Sequence, residues 1–179
     1  TARGQTRTAD VSIGGDPLAG MRIYVDPSSA AARAARSDPV LRVIARQPGT
    51  ARFGSFSYPN AGTAVRLYLD QAARTEPDTV PMISTYRVVD GHCGNWADTP
   101  ADQAAYHSFI VGFAQGIGDH RAVLFLEMDS LITVGCLSPY GTDVRMGELR
   151  DAIDVLTARC PRLAIYLDGG AGDAVSPWK

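Results

Sequence analysis

The sequence predicts an α/β protein built on a central, mainly parallel sheet, and three observations carry that prediction. Short β-rich runs alternate with amphipathic helical stretches from residue 21 to residue 167, the signature of successive β–α units with helices outside a parallel sheet. One run, Ala122 to Leu126, is unbroken in apolar residues, as in a strand buried on both faces. Of 179 residues, 45% are hydrophobic and 20% charged, which suits one globular domain with a sizeable core and leaves little room for a largely disordered chain.

The elements follow in order. Met21 to Val25 is the first strand, closed by Asp26-Pro27. A helix is expected over Ser28 to Arg36, and another from Pro39, with Asp38 as N-cap and proline at the first helical position. Ala51 to Phe56 reads as a second, poorer strand. A helix over Gly62 to Arg74 places Val65, Tyr68, Leu69 and Ala72 on one face. The third strand spans Pro81 to Val89. Thr99-Pro100 opens a long helix on which Tyr106, Ile110, Phe113 and Ile117 recur at helical spacing. Ala122 to Leu126 is the fourth strand. After an irregular stretch from Ser130 to Gly141, a helix carries Leu149, Ile153 and Leu156 inward, and Leu163 to Leu167 is the fifth strand. The chain contains no internal repeat or low-complexity segment.

Composition narrows the function classes. Lys plus Arg is 17 against 19 for Asp plus Glu, without the basic excess or basic stripe of a phosphate-neutralising nucleic-acid binder. No apolar run approaches the roughly 18 residues that span a bilayer. Thr1 to Asp10 is polar and lacks the apolar stretch of a signal peptide, so such a leader is either absent or removed before this numbering begins. Cys93, Cys136 and Cys160 form no CxxC pair and no zinc-ligand spacing, and His92 beside Cys93 does not make a metal site. One disulfide with one free thiol, or three reduced thiols, both fit.

Five β–α units allow an open doubly wound sheet or a β/α barrel, and both place their chemistry at the C-terminal strand ends. Asp26, Glu127, Asp129, Asp168 and the Asp90-Gly91-His92 turn all lie there. The glycine cluster Gly169-Gly170-Ala171-Gly172 lacks GxGxxG spacing and a following helix, which argues against a dinucleotide site. No cofactor is expected.

The run Leu126-Glu127-Met128-Asp129-Ser130 resembles the Leu-Glu-Pro-Asp-Ala segment of glycoside hydrolase family 6, the cellulase family of endoglucanases and cellobiohydrolases. Further segments match in the same order. Asp16-Pro17-Leu18-Ala19-Gly20 with Tyr24-Val25-Asp26-Pro27 resembles the family's opening, and Tyr86 followed seven residues later by Cys93 has the spacing of its Tyr-x-x-Pro-x-Arg-Asp-Cys signature. Cys136-Leu137-Ser138 resembles the segment with the second cysteine of a family disulfide, and Tyr166-Leu167-Asp168-Gly169-Gly170 resembles Tyr-Leu-Asp-Ala-Gly.

The resemblance implies a modified, distorted and incomplete β/α barrel with a cleft over the strand ends. It implies a secreted enzyme that cleaves β-1,4-glucan with inversion, using an acid that protonates the leaving oxygen and a base that activates water. Asp129 takes the acid's position; read without the resemblance, it is a strand-end acid capping the next turn. Tyr86 shapes the cleft at the cleaved bond, Asp168 falls among the substrate-binding positions, and Cys93 with Cys136 matches the disulfide. Where the family has Arg-Asp before the first cysteine, this chain has Gly91-His92. Asp90 is the carboxylate that stands nearest to the replaced one, and His92 is either part of the site or a loop histidine without a role. Asp98 replaces a serine that helps place the catalytic water, either as an improvised base or as a helix-start acid. The tryptophan that stacks on a sugar near the second strand is absent. Phe53 in that region either stacks more weakly or belongs to the core, and Trp96 is either a sugar platform or a buried anchor.

Cys160 has no counterpart and is expected to be a small core residue near a helix end. Residues 1–15 are expected to form a flexible tail and 16–179 a catalytic domain shortened at its C-terminal side, where the family's base segment lies. The open edge of such a barrel is expected to favour self-association as a homodimer. The rival reading is a catalytically impaired glucan-binding fragment or relic of the same family.

Overall fold

A computed structural model describes residues 18–54, 57, 59–88 and 99–169. The order is β1 (Arg22–Ile23), α1 (Ala30–Ala34), a 3-10 turn (Pro39–Leu41) running into α2 (Arg42–Ala45), β2 (Thr50–Gly54), α3 (Ala61–Thr75), β3 (Thr79–Val80), β4 (Met82–Tyr86), α4 (Pro100–Ile117), β5 (Ala122–Leu126), a 3-10 turn (Val134–Cys136), α5 (Pro139–Arg159) and β6 (Leu163–Leu167). Among the described residues every strand pairing is parallel. The main sheet has the order β2-β4-β5-β6, and β1 pairs with β3. Pro81 separates β3 from β4; it has no N–H to give a ladder, and its carbonyl accepts from Val123 N at 2.9 Å. The described strands do not close into a barrel.

Local chemistry explains the elements. Ser29 caps α1 by accepting from Ala32 N, and Asp38 caps the following turn by accepting from Val40 N. Thr99 and Asp102 form a reciprocal capping box at the start of α4, with Pro100 at its first position. Ser138 caps α5, so that helix begins at Pro139, ahead of the expected end of the irregular stretch. The expected helix over Ser28 to Arg36 is confined to α1, because the chain turns at Ala35. Of the expected strand at Ala51 to Phe56, residues 50–54 form β2 and 55–56 lie outside the described residues.

Sheet register sorts the side chains. Ala51, Ile83, Leu124 and Ile165 form one row across all four strands, and Phe53 pairs with Thr85 on the same face. This face packs under α3, α4 and α5 in one core that includes Val65, Leu69, Ile110, Phe113, Leu149 and Leu156. The opposite face carries Arg52, Ser84, Phe125 and Tyr166 in one row. β5 is buried along nearly its whole length, as its unbroken apolar run predicts. β6 is more open, with Tyr166 and Leu167 above one-third exposed.

Helices α3 and α4 approach closely enough that two positions admit only glycine. A Cβ on Gly62 would collide with the Gly112 carbonyl, and one on Gly116 with the Gly62 carbonyl and the Val65 side chain. Among the described residues, no helix is long and apolar enough to cross a membrane.

Candidate active site

Parallel strands bring their C-terminal ends to one side, and there the β5 strand passes into the turn Glu127-Met128-Asp129. Glu127 has φ +46° and Asp129 φ +66°. Left-handed backbone costs a residue with a Cβ about 1–3 kcal/mol and persists where the surroundings over-determine it. Four successive amides supply that determination. Glu127 N donates to Thr85 Oγ1 at 2.9 Å, Met128 N to the Thr85 carbonyl at 3.2 Å, Asp129 N to Asp168 Oδ2 at 3.0 Å, and Ser130 N to the Glu127 carbonyl at 3.0 Å. The turn is therefore held from β4 on one side and from the residue after β6 on the other. The Asp129 side chain is exposed while its neighbours Glu127 and Ser130 are fully buried.

Glu127 points inward. Its Oε2 accepts from Arg87 N at 2.7 Å and Val88 N at 2.9 Å. Among the described residues its Oε1 has no partner. Burial raises the Glu127 pKa above the ordinary value, outweighing the two amides, the Thr85 contact and the charge of Arg145. Arg145, from α5, is also fully buried; it donates to the Ser130 carbonyl at 2.7 Å and the Val88 carbonyl at 3.4 Å.

Tyr86 ends β4 half-buried, with the Arg52 guanidinium 5.4 Å from its ring centre. Phe53 stands on the helix side of the sheet. It is 7% exposed and packs against Tyr68 and Phe113 at ring separations of 6.1 and 5.7 Å. Of the two roles open to it, the structure gives Phe53 the core one, and Arg52 is the residue that reaches the sheet's other face at this level. Cys160 is free and buried, as a small core residue should be. Cys136 is exposed on the turn before α5. Asp90, His92, Cys93, Trp96 and Asp98 lie outside the described residues. The structure thus brings Asp129 and Asp168 together and sets Tyr86 on the adjoining strand.

The sequence reading placed Glu127 at a strand end without a role and passed over Arg145 and Arg52. The signal for Arg52 was period-two alternation with Ala51 and Phe53, which sends it to the opposite face. For Arg145 the signal was its place on the apolar stripe of α5, four residues before Leu149. Among the described residues, no group of three or more His, Cys, Asp or Glu side chains is arranged to hold a metal ion.

Among the described residues, a parallel sheet gathers the carboxylates of Glu127, Asp129 and Asp168 at its C-terminal strand ends, an arrangement that suits a glycoside hydrolase of the β/α class. Sequence and structure comparisons narrow the class. Endoglucanase 1 of Streptomyces halstedii is 33% identical over 156 residues, 82% of this chain and 48% of its own length. Endoglucanase A of Thermobispora bispora is 28% identical over 156 residues, 34% of its own length. The endoglucanase Cel6 of Mycobacterium tuberculosis, solved with a thio-linked cello-oligosaccharide, superposes with a TM-score of 0.75 at 31% identity, covering 86% of this chain and 53% of that one. No protein-family model matches the sequence. Over the residues matched, the chain is similar to the cellulases of glycoside hydrolase family 6. It spans about half the length of Endoglucanase 1 of Streptomyces halstedii and about a third of that of Endoglucanase A of Thermobispora bispora.

Proposed function

We propose that the chain carries the acid side of an inverting β-1,4-glucan hydrolase, with Asp129 as general acid. The observation that supports this is the turn itself: an exposed carboxyl on a left-handed residue, all of whose neighbouring amides are engaged, so that it needs no reorganisation to meet substrate. Protonated Asp129 gives its proton to the glycosidic oxygen as the bond from that oxygen to C1 breaks. Water adds to C1 from the opposite face, and its proton passes to a carboxylate roughly 6.5–9.5 Å from the acid. Asp98 and Asp168 are the candidates for that base. His92 stands where the family has its proton-holding aspartate, and Asp90, two residues earlier in the sequence, is the carboxylate that would substitute for it. Tyr86, Trp96 and Asp168 would contact sugar.

Polymeric cellulose cannot enter a cell, which argues for a secreted protein. Cys93 and Cys136 would then form the disulfide, since Cys160 is buried and free; such a closure is worth about 3–4 kcal/mol on the chain-entropy account. Release of reducing sugar from carboxymethylcellulose and β-glucan, followed across the acid-to-neutral range, tests the reading. The parent chain should release sugar and Asp129→Asn should not. An unchanged variant would remove Asp129 from the mechanism. His92 in place of an aspartate favours a second reading, a glucan-binding module without turnover, which binding without release would support.

A further inference from the structure

Two buried, oppositely charged side chains join the same pair of segments, and the hydrolysis scheme uses neither. We propose that Glu127 and Arg145 are positioning residues, a clamp that fixes the acid turn against the segment leaving β4. This rests on reading Asp129 as the acid.

The clamp has two arms of opposite polarity. Glu127, on the acid turn, takes both amides of Arg87 and Val88 through one oxygen, at 2.7 and 2.9 Å. Arg145, from α5, gives one guanidinium nitrogen to the Ser130 carbonyl at 2.7 Å and the other to the Val88 carbonyl at 3.4 Å. Val88 thus donates its N–H to Glu127 and accepts at its C=O from Arg145. The two held segments are the ones that matter for the chemistry. One ends in Asp129; the other leads from Val88 into the stretch with Asp90, His92, Trp96 and Asp98.

Stability does not explain the choice of residues. Glu127 is 0% and Arg145 1% exposed, and charges so buried are often replaced by apolar groups of similar volume without loss of stability. Glu127 also sits in left-handed backbone, where glycine would be unstrained. A carboxylate there does what neither glycine nor an apolar residue can: it spans the gap and fixes its width to hydrogen-bond length. An acid that must lie within a fraction of an ångström of the leaving oxygen needs that width held.

The test uses Glu127→Met and Arg145→Lys in the 179-residue chain. The first keeps the length of the side chain and removes the acceptor of the Arg87 and Val88 amides, and the second keeps the charge and removes the two-nitrogen fork. Each is assayed on cellotetraose, whose leaving group needs the acid's proton, and on 2,4-dinitrophenyl β-cellobioside, whose leaving group does not. A misplaced acid should lower kcat on cellotetraose about tenfold or more with little change in KM, and spare the aryl glycoside. Equal losses on both substrates, or no loss, would overturn the clamp as a positioning device.

A readout independent of catalysis accompanies this. In Glu127→Met, the amides of Arg87 and Val88 should exchange with solvent faster, while those of Ile83 and Ser84 in mid-β4 stay as in the parent. Uniform change along β4, or none at Arg87 and Val88, would overturn the clamp. If the parent cleaves neither substrate, the reading of Asp129 fails on its own, and amide exchange still decides whether the clamp exists.

Discussion

The backbone N–H of Asp129 donates to Oδ2 of Asp168 at 3.0 Å, across the step from the end of β5 to the end of β6. Leu126 pairs with Leu167 in the sheet, so each aspartate follows closely on a matched residue at the end of its strand. The parallel register itself delivers one aspartate to the amide of the other. Asp168 therefore acts on the turn before any sugar is present.

Replacing Asp168 separates holding from charge. Asp168→Asn keeps an acceptor for the Asp129 amide, whereas Asp168→Ala leaves that amide to water. We expect Ala to lower kcat about tenfold or more, as misplacement of an acid does, and to cost about 1 kcal/mol of stability. Asn should recover most of the stability, and most of kcat if Asp98 rather than Asp168 takes the water's proton. Denaturation midpoints and kcat on cellotetraose for the two variants check this; equal losses would mean that the carboxylate charge is what counts.

Burial of Glu127 ties stability to pH. Its folded-state pKa is raised above the ordinary 4.5 because burial disfavours the charged form. The folded chain then binds this proton more tightly than the unfolded chain. Stability from this group is full below pH 4.5 and is lost as pH rises from there through the raised folded value. Urea midpoints measured from pH 4 upward in about half-unit steps should fall less steeply for Glu127→Gln than for the parent. Parallel curves would show that Glu127 ionises as freely folded as unfolded.

The crossing of α3 and α4 offers a packing test. Gly116→Ala puts a methyl into the Gly62 carbonyl and the Val65 side chain and should cost about 1–3 kcal/mol. Gly147→Ala, in the middle of α5 with open space around it, should instead stabilise by about 0.5–1 kcal/mol. Thermal unfolding of the two variants gives opposite shifts if the close approach is real.

Much of the fold was legible because its signals are local. Asp38 before Pro39 and Thr99 before Pro100 marked element starts that are now seen with their cap hydrogen bonds in place. Leu163 to Leu167 is a strand at the bounds that its apolar run indicated. Asp129 and Asp168 stood out because parallel sheets collect their chemistry at strand ends. Phe53 was harder: an aromatic near a strand end can stack on a ligand or fill a core, and only the register with Thr85 and the rings of Tyr68 and Phe113 settles its side. Arg145 was legible only through its place on the inward stripe of α5, since an arginine on a helix is ordinarily solvated and the assembled core shows where its guanidinium ends.

By itself the sequence determined the order of strands and helices, the parallel class of the sheet and the acidic character of the strand ends. Those properties follow from side-chain period, capping chemistry and short motifs, which act within a few residues. Tertiary structure alone decided which face each strand residue takes, how β1 joins β3 ahead of Pro81, and that Glu127 and Arg145 meet Val88 from opposite sides. Register and burial are collective. A carboxylate is exposed at Asp129 and buried at Glu127 because β4, the segment that follows it and Arg145 of α5 surround one and not the other.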